Sequence, residues 1–307
     1  MEAGKKIAVL IPCYNEAQTI ATVVADFRRA LPEAEVFVYD NNSQDETSRI
    51  AREAGALVRK ESRQGKGNVV RSMFRDIEAD YYVLVDGDDT YPAESIDRLL
   101  AEAAEGADMV VGDRLSNGTY AKENKRGFHD FGNNLVLFLI NRLFGVGLRD
   151  IMSGYRVFSR RFVKLYPVLC EGFQLETDMT IFALSRRLAV AEVPIQYRDR
   201  PAGSQSKLNT YSDGFRVLMT IFNLYRFFYP LRYFSVVSAI FGLIGLAVGL
   251  PVIIEFIHTA YIEKVPSAVL ASGLMILAII SFSSGLILDS LNKKDQEDFE
   301  RNLKTRF

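Results

Sequence analysis

Asp86-Gly87-Asp88-Asp89 follows directly on Tyr81-Tyr-Val-Leu-Val85, so three carboxylates gather where an apolar, β-rich run breaks off. Carboxylates at a strand end can hold a hard divalent cation, and Mg2+ usually binds through one or two carboxylates plus the phosphates of a substrate. The predicted chemistry is Mg2+- or Mn2+-assisted handling of a nucleotide diphosphate, with Asp86 and Asp88 as the metal pair. An acidic turn is the competing account, since Asp and Gly are ordinary turn residues. Two polar segments could wall the same nucleotide pocket: Pro12-Cys13-Tyr14-Asn15-Glu16 after the first apolar run and Asp40-Asn41-Asn42-Ser43-Gln44-Asp45 after the second. Pro12, Tyr14, Glu16, Asp40 and Asn42 are the candidate contacts there, Tyr14 packing against a base and Asp40 accepting from its N–H. Arg63-Gln64-Gly65-Lys66-Gly67 adds close backbone approach at the glycines and a cation, Lys66, for a diphosphate at a helix start.

Such residues need a scaffold that ends several strands side by side. Apolar β-runs at Ile7–Ile11, Glu35–Tyr39, Tyr81–Val85 and Met109–Gly112 alternate with helical spacing at Ala17–Ala30, Asp45–Ala54, Gly67–Asp76 and Ala93–Ala104. Ser43 or Asp45 could cap the second helix. The alternation predicts a doubly wound α/β sheet with ligands at the carboxyl ends of its strands, where the candidates fall.

The other end of the chain differs in kind. Phe234 to Ile257 and Ser267 to Leu288 are nearly free of charge, and each exceeds the ~20 apolar residues that span a bilayer as a helix. Arg226 and Arg232 precede the first run, and Lys293, Lys294, Arg301, Lys304 and Arg306 follow the second, whereas the connector carries only Lys264. That bias places both flanks in the cytoplasm. Tyr211 to Arg232 mixes aromatic and basic residues as an interfacial helix would, although packing on the soluble domain would give the same pattern. The expected layout is a cytoplasmic catalytic domain over 1–210, a juxtamembrane segment over 211–232, two spans over 233–290 and a tail over 291–307. Lys5-Lys6 leads into a short strand without the longer apolar region of a secretory signal, in keeping with a cytoplasmic domain.

Composition narrows the classes. The 307 residues are 49% hydrophobic with net charge −1, so no basic excess calls for a nucleic-acid partner. Cys13 and Cys170 have no metal-ligand spacing and are expected as free thiols, and two histidines, His129 and His258, cannot build a histidine-rich zinc site.

Ile11-Pro12-Cys13-Tyr14-Asn15-Glu16, the Asp40 loop, Gly65-Lys66-Gly67 and Asp86-Gly87-Asp88, in this order, resemble the family 2 glycosyltransferases of GT-A (Rossmann-like) fold. The closer resemblance is to the polyprenyl-phosphate group that includes dolichyl-phosphate mannose synthase and the bacterial undecaprenyl-phosphate glucosyl and N-acetylglucosaminyl transferases. It extends through Gly112-Asp113-Arg114, Asp150-Ile-Met-Ser-Gly-Tyr-Arg156, Gly172-Phe-Gln-Leu-Glu176-Thr-Asp178, Arg198-Asp-Arg200 and Ser206-Lys207-Leu208. The resemblance implies an inverting transfer from a nucleotide-sugar to a membrane-bound polyprenyl phosphate. Asp86 and Asp88 would contact metal and donor, and Asp150, Asp88 and Arg114 would be catalytic. Overall likeness favours UDP-N-acetylglucosamine, then UDP-glucose, then GDP-mannose. Where mannose synthases often continue Asp-Leu-Gln-His-Pro-Pro, this chain has Asp88-Asp89-Thr90-Tyr91-Pro92, so the third protein ligand stays open. A homo-oligomer and a separate flippase for the lipid product are the further partners implied.

A phosphate monoester is largely dianionic at neutral pH, with a second pKa near ~6, so it needs charge compensation more than a base. Arg126, Arg200, Ser206 and Lys207 are the candidate acceptor-phosphate contacts, with Arg114, Lys125 and Arg156 also available. Asp150 could act as base or could orient an arginine, and Glu176 and Asp178 compete with it. A processive polysaccharide synthase is disfavoured because its Gln-x-x-Arg-Trp motif needs a tryptophan and the chain has none. A catalytically silent nucleotide-binding membrane scaffold would share the architecture.

Overall fold

The computed structural model describes residues 4–116, 127–169, 175–198, 222–223 and 225–306, with side chains left aside at 127–134 and 304–306. The chain divides into two compact units, Met1–Thr210 and Tyr211–Phe307.

In the first unit a seven-stranded sheet has the order β3-β2-β1-β4-β6-β5-β7. The strands are β1 (Ile7–Cys13), β2 (Glu35–Asp40), β3 (Leu57–Lys60), β4 (Tyr81–Leu84), β5 (Met109–Asp113), β6 (Arg156–Ser159) and β7 (Val190–Pro194). The helices are α1 (Ile20–Ala30), α2 (Thr47–Glu53), α3 (Lys66–Asp76), α4 (Ile96–Ala104), α5 (Gly127–Phe144), α6 (Arg160–Leu165) and α7 (Leu175–Ser185). The sheet is mixed rather than wholly parallel: β6 runs antiparallel to β4 and β5 on either side of it. Because β6 is reversed, its first residue, Arg156, lies opposite Leu84 and Val111, next to the carboxyl ends of β4 and β5. The segment that precedes β6 therefore arrives where the segments that follow β4 and β5 depart.

Helices cover both faces, so the strands are apolar on both. Val9 and Ile11 join α1 and α4 residues such as Val24, Phe27, Ile96 and Leu99 in one core. Ala8 and Leu10, pointing the other way, join Val70 and Met73 of α3, Phe162 of α6 and Met179 of α7 in a second. Several predicted elements are shorter than their patterns. The α1 helix begins at Ile20 rather than Ala17, and the stretch from Ala93 opens as a 3-10 turn before α4.

The second unit is a hairpin of α8 (Pro230–Thr259) and α9 (Val265–Arg306). Both are long and apolar enough to cross a membrane, and only 11% of each apolar window is buried, which a soluble core helix would not show. Pro230 starts α8 three residues before the expected span, as proline suits a first helical turn. Glycines on α8 allow close approach: a Cβ at Gly245 would sit 3.2 Å from Met275 Sδ, and one at Gly249 3.1 Å from the Ala271 Cβ. At one end Glu255 and Lys264 pair at 3.2 Å across the connector. At the other, Asn292 donates to the Phe227 carbonyl at 2.5 Å, and Arg232 lies 5.0 Å from the Tyr229 ring centroid. Most of the predicted interfacial helix lies outside the described residues, and α9 continues unbroken through the predicted tail.

Candidate active site

The β1 and β2 segments are tied into one wall by their own polar residues. Asn15 and Asn42 adopt left-handed φ of 57° and 64°, which asparagine tolerates. The Asn15 N–H donates to Ser43 Oγ at 2.9 Å, and the Gln44 N–H returns a bond to Asn15 Oδ1 at 2.8 Å. Glu16 N–H donates to Thr47 Oγ1 at 2.9 Å. Asp40 is buried and accepts from the Ser43 N–H at 2.9 Å and from the Ser48 hydroxyl. Burial alone would raise its pKa, but these bonds, chiefly from Ser43 and Ser48, hold the carboxyl below its usual range. Asp40 thus shapes its own loop. Pro12 and Tyr14 are half-buried, whereas Asn42 is exposed and donates to the Ser62 carbonyl at 2.9 Å.

Asn41, which the sequence did not single out, is the residue that joins three loops. Its amide nitrogen donates to the carbonyls of Glu61 at 2.9 Å and Arg63 at 2.7 Å, while Oδ1 accepts from the Gly65 N–H at 2.7 Å. Gly65, with φ of 126°, occupies backbone space that a side chain would strain, and it delivers Lys66 at the start of α3.

Asp86, Asp88 and Asp89 follow closely on the end of β4. Thr19 donates to the Gly87 carbonyl at 2.6 Å and fixes the turn against α1. Asp88 is buried, and the Thr90 hydroxyl donates to its Oδ1 at 2.6 Å, so Thr90 orients a carboxylate. Asp86 lies against Gly154: a Cβ there would collide with the carboxylate, whose Cγ would be 3.0 Å away. Lys66 Nζ bridges Asp86 at 2.5 Å and Glu176 at 2.6 Å. Burial opposes the ammonium, but Asp86 and Glu176 outweigh it and raise its pKa above the ordinary lysine range. Glu176 and Asp178, two apart on α7, part company, because Asp178 accepts from the Tyr166 hydroxyl at 2.6 Å.

On the β5 side Arg114 and Asp150 form a two-pronged ion pair, Nε to Oδ2 at 2.7 Å and a terminal nitrogen to Oδ1 at 2.9 Å. The Arg114 backbone N–H adds a third bond to Oδ2 at 3.2 Å. Burial would raise the Asp150 pKa, yet the Arg114 bonds prevail and hold it below the usual carboxylate range. A carboxylate so engaged is a weak proton acceptor near neutrality. Tyr197 lies under the guanidinium, 5.6 Å from ring centroid to Cζ. Tyr91, whose hydroxyl accepts from the Gly154 N–H at 2.9 Å, links the acidic turn to the segment before β6.

Arg156, considered above among the cations available to an acceptor, is an interior strut. It is 0% exposed and donates to the carbonyls of Ser153 at 2.9 Å and Ile151 at 2.7 Å and to Thr180 Oγ1 at 2.9 Å. Two of these bonds set the path of the Asp150–Gly154 segment. Arg198 fastens the chain beyond β7 to the acidic turn, its N–H donating to the Thr90 carbonyl at 2.9 Å and its guanidinium to Glu94 at 3.0 Å. Arg126, Arg200, Ser206 and Lys207 lie outside the described residues, as does Lys125.

A mixed sheet of this order with an acidic pair past its fourth strand is a GT-A architecture. Residues 8–166 match glycosyl transferase family 2, and the chain belongs to that family. Glycosyltransferase AglJ of Haloferax volcanii is 33% identical over 307 residues, covering 98% of this chain and 99% of its own. A dolichyl-phosphate hexose transferase of the same organism is 32% identical over 209 residues, 68% of this chain and 89% of that one. The fold is shared with glucosyl-3-phosphoglycerate synthase from Mycobacterium tuberculosis in complex with uridine diphosphate, at TM-score 0.59, 21% identity, and 72% and 80% coverage. The protein is accordingly a glycosyltransferase with two apolar helices of membrane-crossing length.

Proposed function

We propose that the enzyme transfers a sugar with inversion from a UDP-sugar, UDP-N-acetylglucosamine first and UDP-glucose next, to a polyprenyl phosphate on the cytoplasmic face of a membrane. The observation that carries this reading is the juxtaposition, within one GT-A unit, of the Asp86/Asp88 pair with the buried Arg114–Asp150 clamp. The relative named as a dolichyl-phosphate hexose transferase supports a polyprenyl-phosphate acceptor. The hairpin would keep the catalytic unit at the bilayer that holds such a lipid.

Asp86 and Asp88 suit Mg2+ or Mn2+. They are hard oxygen donors, and no cluster of three or more Asp, Glu, His or Cys that could hold a metal is found among the described residues, so substrate phosphate and water would complete the shell. The glycine at 154 leaves room for the Asp86 carboxylate at that place. When bound, such an ion neutralises the diphosphate leaving group. Tyr14 and the Asp40 loop bind the base and ribose side, and Lys66 supplies positive charge to the diphosphate. Arg114, held by Asp150, faces the incoming phosphate; Asp150 positions the arginine, since the acceptor oxygen is already ionised. Arg126, Arg200, Ser206 and Lys207 complete the acceptor-phosphate site. A homo-oligomer and a separate lipid-flipping protein complete the proposed setting.

GDP-mannose is the second reading, since the hexose named for that relative takes in mannose as well as glucose. Radiolabelled UDP-GlcNAc, UDP-glucose and GDP-mannose, each offered with polyprenyl phosphate and Mg2+ or Mn2+ against an EDTA control, decide between them. A single EDTA-sensitive lipid product identifies the donor; no lipid product from a folded protein would refute the reading.

A further inference from the structure

Lys66 is gripped by two carboxylates that reach it from distant parts of the chain. The Glu176 contact spans 110 residues of sequence, and the Glu176 side chain is 9% exposed. The Asp86 contact spans 20 residues. An ammonium at hydrogen-bonding distance from Asp86 and a divalent cation on the same carboxylate repel each other at short range in a poorly screened site, so each weakens the other's hold. A bare metal ion therefore meets a carboxylate that is already compensated. A diphosphate changes this balance, since it brings negative charge for the metal and the ammonium at once.

We propose that Lys66 is the resident counter-ion of Asp86, and that Glu176 is a positioning residue that retains the ammonium when Asp86 turns to a metal–diphosphate. The inference rests on the donor site proposed above. It assigns Glu176 a role apart from acid–base chemistry: its carboxylate keeps Lys66 beside the diphosphate after the Asp86 pairing ends. Metal and nucleotide then bind as a pair, each weakly alone.

Binding to the full-length protein in detergent tests this without turnover. Mn2+ alone is followed by electron paramagnetic resonance, and UDP is titrated calorimetrically in EDTA and again with Mn2+. Replacing Lys66→Met should tighten Mn2+ alone by about tenfold, the scale on which a close charge shifts an ionic equilibrium, and should weaken UDP in EDTA. Glu176→Gln should weaken Mn2+ alone, because Lys66 then pairs more firmly with Asp86, and should weaken UDP in the presence of Mn2+ while leaving UDP in EDTA within about twofold. An equal loss of every binding in Glu176→Gln would show a merely structural residue and overturn the proposal. Unchanged or weaker Mn2+ binding in a folded Lys66→Met would overturn the counter-ion role. Should Lys66→Met fail to fold, Glu176→Gln alone carries the test. If the wild type binds no UDP yet Lys66→Met gains Mn2+ affinity, the counter-ion role stands and the donor site falls.

Discussion

Arg114 holds both oxygens of Asp150, with the carboxylate 2% and the guanidinium 13% exposed, so the acid that the family motif offers as a base is bound as an anchor. Breaking a buried pair of this kind by neutralising one partner costs about 3–5 kcal/mol, because the other charge stays buried without compensation. Asp150→Asn should lose stability on that scale near neutral pH, measured by urea unfolding followed by circular dichroism.

The pH dependence follows from the direction of the Asp150 shift. Its folded pKa is depressed. The stabilisation is fully present above the unfolded value of ~3.9 and is lost as pH falls through the folded one. The gap between wild type and Asp150→Asn should therefore be constant from neutrality to about pH 5 and shrink below pH 4. A gap that grew on acidification would contradict a depressed pKa.

Transfer kinetics separate the two roles for Asp150. If the acceptor phosphate needs no base, the acid limb of kcat/KM should follow its second ionisation near ~6 in both wild type and residual Asp150→Asn activity. An acid limb present in the wild type and absent from the variant would make Asp150 the proton acceptor.

Gly154 is a close-approach position, where an added methyl would collide with Asp86. Gly154→Ala should displace that carboxylate and lower kcat/KM by about 10²-fold, as a misplacement of about 1 Å can. The fold should survive. Unaltered turnover would mean that Asp86 has another productive position.

Removing the interior strut should be felt beyond the site. Arg156→Met leaves the Ser153 and Ile151 carbonyls without their donors, each worth about 1–3 kcal/mol when buried. Unfolding in urea should shift to lower concentration by a matching amount, and turnover should fall because the Asp150 segment loosens. Wild-type stability in this variant would place the control of that segment elsewhere.

The hairpin can be tested by cross-linking. A Cβ at Gly242 would lie 3.9 Å from the Ala278 Cβ, within the range of a disulfide. Gly242→Cys with Ala278→Cys should cross-link on oxidation, and adding Gly249→Leu should abolish the cross-link by forcing the helices apart. Persistence of the bridge would show that the pairing tolerates bulk at Gly249.

The acidic turn and the polar loops after β1 and β2 were legible because apolar runs end abruptly there in residues that chain termini of strands favour. The second half of the sheet was not. The four residues of β6 begin with an arginine, too short and too polar to announce a strand, and nothing local tells that it runs backwards. Arg156 reads as a surface charge until its four acceptors are seen. Asn41 and Asn42 are indistinguishable by type, yet one is buried and bonds three loops while the other is exposed. Glu176 could be placed beside Lys66 only by tertiary pairing. Its own neighbourhood on α7 pointed equally to Asp178.

The reversed β6 also means that the two halves of the site hang on opposite kinds of strand end. Residues on one side are appended after strands β1, β2 and β4, whereas Asp150 to Tyr155 are prefixed to β6. An insertion ahead of β6 would remodel the prefixed half while leaving the register of β1, β2 and β4 untouched.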